Sequence, residues 1–137
     1  MKNDGTYAQE EFIRLVESRP NSFVWRLRDK KDLMGINRGR KVAAFPLPSD
    51  YIVGTGGMLQ FAEVKSTIGD RFEYSNIQPG QRSASGIAAK IGIPYWFYVY
   101  SLKLNQWFAL SGDQLHADLR VGKKSRKFEE LEKCFLN

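Results

Sequence analysis

Residues 50–65 constrain the fold more than any other stretch: an acid, a short apolar run, a glycine-rich turn, and a second apolar run carrying Glu63 and Lys65. Tyr51-Ile52-Val53 and the run through Phe61-Ala62-Glu63-Val64-Lys65, joined through Gly54-Thr55-Gly56-Gly57, have the pattern of an antiparallel hairpin. Side chains alternate between the faces of a strand, so Ala62 and Val64 point one way while Glu63 and Lys65 point the other. Pairing in the hairpin brings Asp50, at the start of the first strand, toward Glu63 at the far end of the second. Two carboxylates and one ammonium then converge. Carboxylate oxygens are the hard ligands that magnesium takes, and magnesium keeps waters that can be oriented or activated. Lys65 is suited to stabilising or deprotonating such a water. A bare Glu-x-Lys is more often an ordinary ion pair on an exposed strand, so the surrounding features have to decide.

Those features alternate between helix and strand. Tyr7 to Ser18 reads as a helix with Phe12, Leu15 and Val16 at core spacing, stopped by Pro20-Asn21. On it Glu11 neighbours Ala8, Phe12 and Leu15, whereas Glu10 neighbours Ile13 and Arg14; both acids also suit the helix dipole. Ser22 to Arg28 alternates Phe23, Trp25 and Leu27 against Val24, Arg26 and Arg28, a strand with at least one wet side and its arginines facing one way. From Asp29 to Lys41 periodicity gives way to a basic loop, and its Arg38, Gly39, Arg40 and Lys41 suit a phosphate backbone held by charge-assisted hydrogen bonds. Gln81 to Ile91 predicts a helix with Ala84, Ile87, Ala88 and Ile91 on its packing face, ended by Gly92.

Tyr95 to Tyr100 is a continuous aromatic run that predicts a core strand rather than a base-stacking platform. Asn105 turns the chain into a further strand, Gln106 to Leu110, and Ser111-Gly112-Asp113 caps a short helix through Leu119 that closes one edge. Residues 1–120 are thus expected to form one domain. Residues 121–137 are expected to add a basic linker, in which Lys123 and Lys124 are candidate DNA contacts, and a docking helix with Phe128, Leu131 and Phe135 at helical spacing.

The composition fits this organisation. With 137 residues, 42% of them hydrophobic and 26% charged, the chain has the make-up of one folded domain with a real core. A net charge of +6 favours polyanionic partners, nucleic acid first among them. Cys134 and His116 are each the only residue of their kind, which excludes an internal disulfide, a thiolate metal cluster and histidine-rich chemistry. His116 is expected at the surface or at a cap. The polar start, Met1-Lys2-Asn3-Asp4-Gly5, and the lack of a long apolar stretch predict a cytoplasmic protein of a bacterial or phage-infected cell, with no membrane partner.

Pro48-Ser49-Asp50, the hairpin, Glu63-Val64-Lys65, and then Arg71-Phe72-Glu73-Tyr74-Ser75-Asn76-Ile77-Gln78-Pro79-Gly80-Gln81 follow one another in an order that resembles the PD-(D/E)XK nuclease superfamily. Within it the chain is most similar to Holliday-junction resolvases of the archaeal and RecU-like kinds, phage versions included, from about Gly5 to Leu110. The resemblance implies an α/β fold, a restriction-endonuclease-like core with a central mixed β-sheet flanked by helices. It implies that Asp50 and Glu63 bind a divalent metal, magnesium or alternatively manganese, that Lys65 assists the attacking water, and that Gln81 belongs to the same site. These families also carry a glutamate on the first helix, commonly four residues after a glycine. Gly5 places that position at Gln9, while the acids are Glu10 and Glu11. Glu11 is favoured as the third ligand, with Glu10 and Gln9 as alternatives.

The implied activity is magnesium-dependent endonucleolytic cleavage of DNA, branched DNA above all. Arg26, Arg28, Arg38, Arg40, Lys41, Lys123 and Lys124 are the candidate contacts, and a homodimer is implied because two strands must be cut. Two other readings stay open: a non-catalytic binding module for DNA or protein on a nuclease fold, favoured by Gln9, and a nuclease acting on other DNA in phage or host defence.

Overall fold

The computed structural model describes residues 5–27, 47–134 and 136. Arg28, Arg38, Arg40, Lys41, Phe135 and the basic loop therefore lie outside the described residues. A six-stranded mixed sheet runs in the order β1-β2-β3-β5-β6-β8: β1 (Ser22–Arg26), β2 (Tyr51–Thr55), β3 (Met58–Thr67), β5 (Tyr95–Ser101), β6 (Gln106–Ser111) and β8 (Glu132–Lys133). A separate pair joins β4 (Arg71–Glu73) to β7 (Ser125–Lys127). Among the described residues only β3 and β5 run parallel; every other pair is antiparallel. A parallel pair needs a long crossover, and here it holds β4, a 3₁₀ turn (Tyr74–Asn76) and helix α2 (Pro79–Ile91).

The hairpin forms as the glycines require. Gly56 and Gly57, with φ of 57° and 81°, make the two-residue turn that only residues tolerant of positive φ enter cheaply. Gly54 is not part of the turn. It pairs with Phe23 inside the sheet, where a β-carbon would lie 2.1 Å from the Phe23 ring.

Each face of the sheet has its own core. Helix α1 (Thr6–Glu17) brings Ala8, Phe12 and Val16 onto Tyr51, Val53, Ala62, Val64, Tyr98 and Trp107. Helix α2 and helix α3 (Gly112–Arg120) cover the opposite face, over Phe97, Val99, Phe108 and Leu110. The aromatic run of β5 is core, with Tyr95, Phe97, Tyr98, Val99 and Tyr100 all buried.

Several elements differ from the sequence expectation. Ile87 and Ile91 point to solvent, because α2 packs through the small residues Ser85 and Ala88. Its small side lets α3 approach: His116 donates to or accepts from Ser85 Oγ at 2.9 Å and lies against Gly86, so it bridges two helices rather than sitting at a surface or cap. Helix α3 covers a face of the sheet, and the edges are β1 and β8. The tail is not linker plus helix. Residues 125–127 pair with β4 and 132–133 with β6, and Phe128 and Leu131, three residues apart, are buried from a 3₁₀ turn (Phe128–Glu130). The tail is thus woven into the domain. In edge strand β1, expected to have at least one wet side, the exposed residues include Phe23 and Trp25 as well as Arg26.

Candidate active site

The site begins where β2 stops. The β2–β3 ladder ends at Tyr51 opposite Ala62, and β3 continues alone on that side along β5. Val64 N–H, which would otherwise face a further strand, donates to Asp50 Oδ2 at 3.3 Å. A carboxylate therefore replaces a backbone carbonyl at the point where the strands part. Asp50 is held there by its neighbours: its carbonyl accepts from Leu27 N–H at 2.8 Å, Ser49 Oγ donates to the Tyr51 carbonyl at 2.7 Å, and the Tyr95 hydroxyl donates to the Pro48 carbonyl.

Glu63 is 2% exposed, on the face shared with α2. Burial and then the facing Asp50 push its carboxyl up to about 8, against a partial opposing pull from Lys65. Lys65, two residues on and on the same face, holds its Nζ 4.0 Å from Glu63 Oε2. Gln81 closes the group from the third position of α2. Its Oε1 accepts from Gln78 N–H at 3.0 Å, capping the helix, while its Nε2 donates to Glu63 Oε2 at 2.9 Å. An amide does both jobs at once; a carboxylate there would cap the helix but face Glu63 with a like charge.

Asp50, Glu63, Lys65 and Gln81, expected together from the sequence, are thus brought together. The first helix contributes differently. Glu11 pairs with Arg14 on its own helix, an interaction that holds its carboxyl below the usual range. Glu10 is exposed and Gln9 half-buried. Among the described residues no group of three or more His, Cys, Asp or Glu side chains is placed to share a metal ion. Arg26 is exposed and lies opposite Tyr51, at the Asp50 end of the sheet. Lys123 is paired with Glu130 at 2.8 Å, whereas Lys124 is exposed.

One residue beside this group is not singled out by the sequence patterns. Arg82 follows Gln81 in the first turn of α2, where a cation opposes the helix dipole. That conflict is the signal it leaves in the sequence. Its Nη2 donates to the Tyr74 carbonyl at 2.7 Å, and its buried Nε has no hydrogen-bond partner.

A mixed sheet with helices on both faces, a parallel central pair and acidic groups where a hairpin parts from it thus make up one fold. No protein-family model matches the chain, and no curated protein matches it. Among solved structures it is similar to Hjc of Archaeoglobus fulgidus, a Holliday junction resolvase from an archaeal hyperthermophile, with a TM-score of 0.61 and 15% identity over 93% of this chain and 94% of that one. The two share their fold along nearly their whole lengths. The restriction-endonuclease-like α/β core with a central mixed sheet is therefore the architecture of this chain. No helix among the described residues is long and apolar enough to cross a membrane.

Proposed function

We propose that this protein is a divalent-metal-dependent DNA endonuclease, selective for branched DNA of the Holliday-junction kind and acting as a homodimer. The observation that carries the proposal is the meeting of Asp50 and Glu63 at the end of the β2–β3 ladder, with Lys65 and Gln81 against the second carboxylate. The donor set fits magnesium, or manganese in its place. Magnesium is bound through one or two carboxylates and keeps several waters, and the Glu63 carboxyl, raised first by burial and then by the facing Asp50, is one that a divalent cation would relieve. Asp50 and Glu63 would hold the ion; when bound it supplies Lewis-acid charge to the phosphate and a water of lowered pKa.

The rest falls to the chain. Gln81 fixes the Glu63 carboxyl by its 2.9 Å hydrogen bond to Oε2, so that oxygen keeps its direction. Lys65 brings a cation within reach of a phosphodiester held at this edge, and can donate to and orient the attacking water. Glu11, with Glu10 and Gln9 as alternatives, would join only by leaving its bond to Arg14. The fold of Hjc supports the junction as substrate, and the +6 charge supports DNA as partner.

A non-catalytic binding module is the second reading, favoured by the two-carboxylate rather than three-carboxylate grouping among the described residues. One assay separates the two. Labelled four-way junction, linear duplex and single strand are incubated with magnesium or EDTA, alongside Lys65→Ala and Asp50→Asn. Metal-dependent cleavage of the junction, lowered at least 100-fold in both variants, is expected. No cleavage of any substrate would leave the binding module. Equal cutting of linear duplex and junction would remove the junction while keeping the nuclease, as a phage or host-defence role requires.

A further inference from the structure

Next to Gln81 along α2, Arg82 lines a cavity of about 390 Å³, whose walls also hold the sequence candidates Lys123 and Lys124. Its walls come from three places far apart in the chain: Glu73, Tyr74 and Ser75 after β4, Arg82 on α2, and Leu119 with Gly122, Lys123 and Lys124 where α3 turns into β7. The turn is fixed. Gly122 takes φ 78°, the N–H groups of Val121, Gly122 and Lys123 close on the last carbonyls of α3, and Tyr74 N–H donates to the Lys124 carbonyl at 2.9 Å. Asp118 ties the walls together, accepting from the Tyr74 hydroxyl and, at 2.7 and 3.1 Å, from Arg126.

Among the described residues, three cations and one carboxylate, Glu73, line this space. Lys123 is committed to Glu130. Arg82 spends one donor, Nη2, on the Tyr74 carbonyl and keeps a buried Nε with no partner, which is costly for a charged group, while the side chain itself lines the cavity. An arginine fork is the side chain best matched to phosphate oxygens, and Lys124 adds a second, exposed charge at the rim. Gln81 and Arg82 are adjacent, one turned to Glu63 and the other to the cavity. A strand lying at the first must pass the start of α2 to reach the second.

We infer that this cavity is a second phosphate site, in which Arg82 and Lys124 hold a backbone phosphodiester of the DNA strand next to the one presented to Glu63 and Lys65. The inference rests on the DNA-binding part of the function proposed above and not on cleavage. Arg82 here is a positioning residue: it fixes the register of the strand and takes no part in bond breaking.

The test is equilibrium binding of a labelled four-way junction in EDTA across a salt series, where each lost phosphate contact flattens the log–log slope by about one. Arg82→Gln, Arg82→Lys, Lys124→Gln and Glu73→Gln are compared with Lys90→Gln, which removes an exposed charge from the far end of the same helix. Arg82→Gln and Lys124→Gln are expected to flatten the slope by about one each and Lys90→Gln by much less; Arg82→Lys is expected to keep most of it and Glu73→Gln to tighten binding. Thermal melting of each variant excludes misfolding, and Lys124 and Glu73 are exposed enough to report even where Arg82→Gln does not fold. Slopes for Lys124→Gln no different from Lys90→Gln overturn the site. Binding without cleavage sinks the nuclease and spares this inference; no DNA binding by the wild type sinks both.

Discussion

Glu63 is the residue whose chemistry the fold changes most. In the unfolded chain its carboxyl titrates near 4.5, and in the folded metal-free protein burial and Asp50 raise it to about 8. Between those values the folded state binds more protons than the unfolded state. The contribution is therefore full below the lower value and is lost as pH rises through the upper one, by up to about 1.4 kcal/mol per pH unit. Denaturant unfolding in EDTA at pH 5, 6.5 and 8 is expected to show stability falling across this window, and Glu63→Gln to remove most of the fall. A variant with the wild-type slope would mean that another group carries the proton. Divalent metal should release protons on binding and restore stability most at the alkaline end. That Glu63 and Lys65 share a face was legible in the sequence, since strand alternation is strict. That Glu63 would be buried against a second acid was legible only through the hairpin, and helical spacing left the partner of Arg14 open, because Glu10 at i–4 and Glu11 at i–3 are both within its reach.

At the scale of elements, the sequence marks strands and caps well and packing faces poorly. The glycine hairpin, the aromatic core strand and the Ser111 cap of α3, whose Oγ accepts from Gln114 N–H at 3.1 Å, follow from local chemistry. Which side of α2 is buried does not: Ile87 and Ile91 make one apolar stripe and Ser85 and Ala88 another, and close approach of α3 over Gly86 selects the small one. The tail was likewise ambiguous, because Phe128 and Leu131 are spaced as well for a 3₁₀ turn as for an α-helix. Arg126 then decides how the tail is held. It forms a two-bond pair with Asp118, whose side chain is 9% exposed, and these bonds hold the Asp118 carboxyl below its ordinary range. Arg126→Leu would leave a buried carboxylate with only the Tyr74 hydroxyl. A loss of about 3 kcal/mol in denaturant unfolding at pH 7 is expected, with part of it recovered in the double variant that adds Asp118→Asn. A loss under 0.5 kcal/mol would show that β7 is held by its pairing with β4 alone.

At the scale of the whole molecule, the proposed site would cut one phosphodiester, and symmetrical cutting of a branched junction calls for two. The proposed homodimer supplies them, and the surface is compatible with a second copy. Phe23, Trp25 and Leu59 lie on one face of the sheet by the β1–β2–β3 register, exposed, while α2 and α3 pack over β5 and β6. Exposed apolar faces of this kind are uncommon on monomers. Light scattering after size exclusion is expected to give twice the 15.7 kDa chain mass for the wild type and the single mass for Trp25→Lys combined with Leu59→Lys. Catalysis gives an independent reading. If the two centres act within one dimer, mixing wild type with an excess of Lys65→Ala should convert paired cuts into single nicks on a cruciform plasmid, leaving open circles where the wild type alone leaves linear product. Linear product that falls only in proportion to the wild-type fraction would mean that single chains cut independently, and the second copy would then have to be withdrawn from the mechanism.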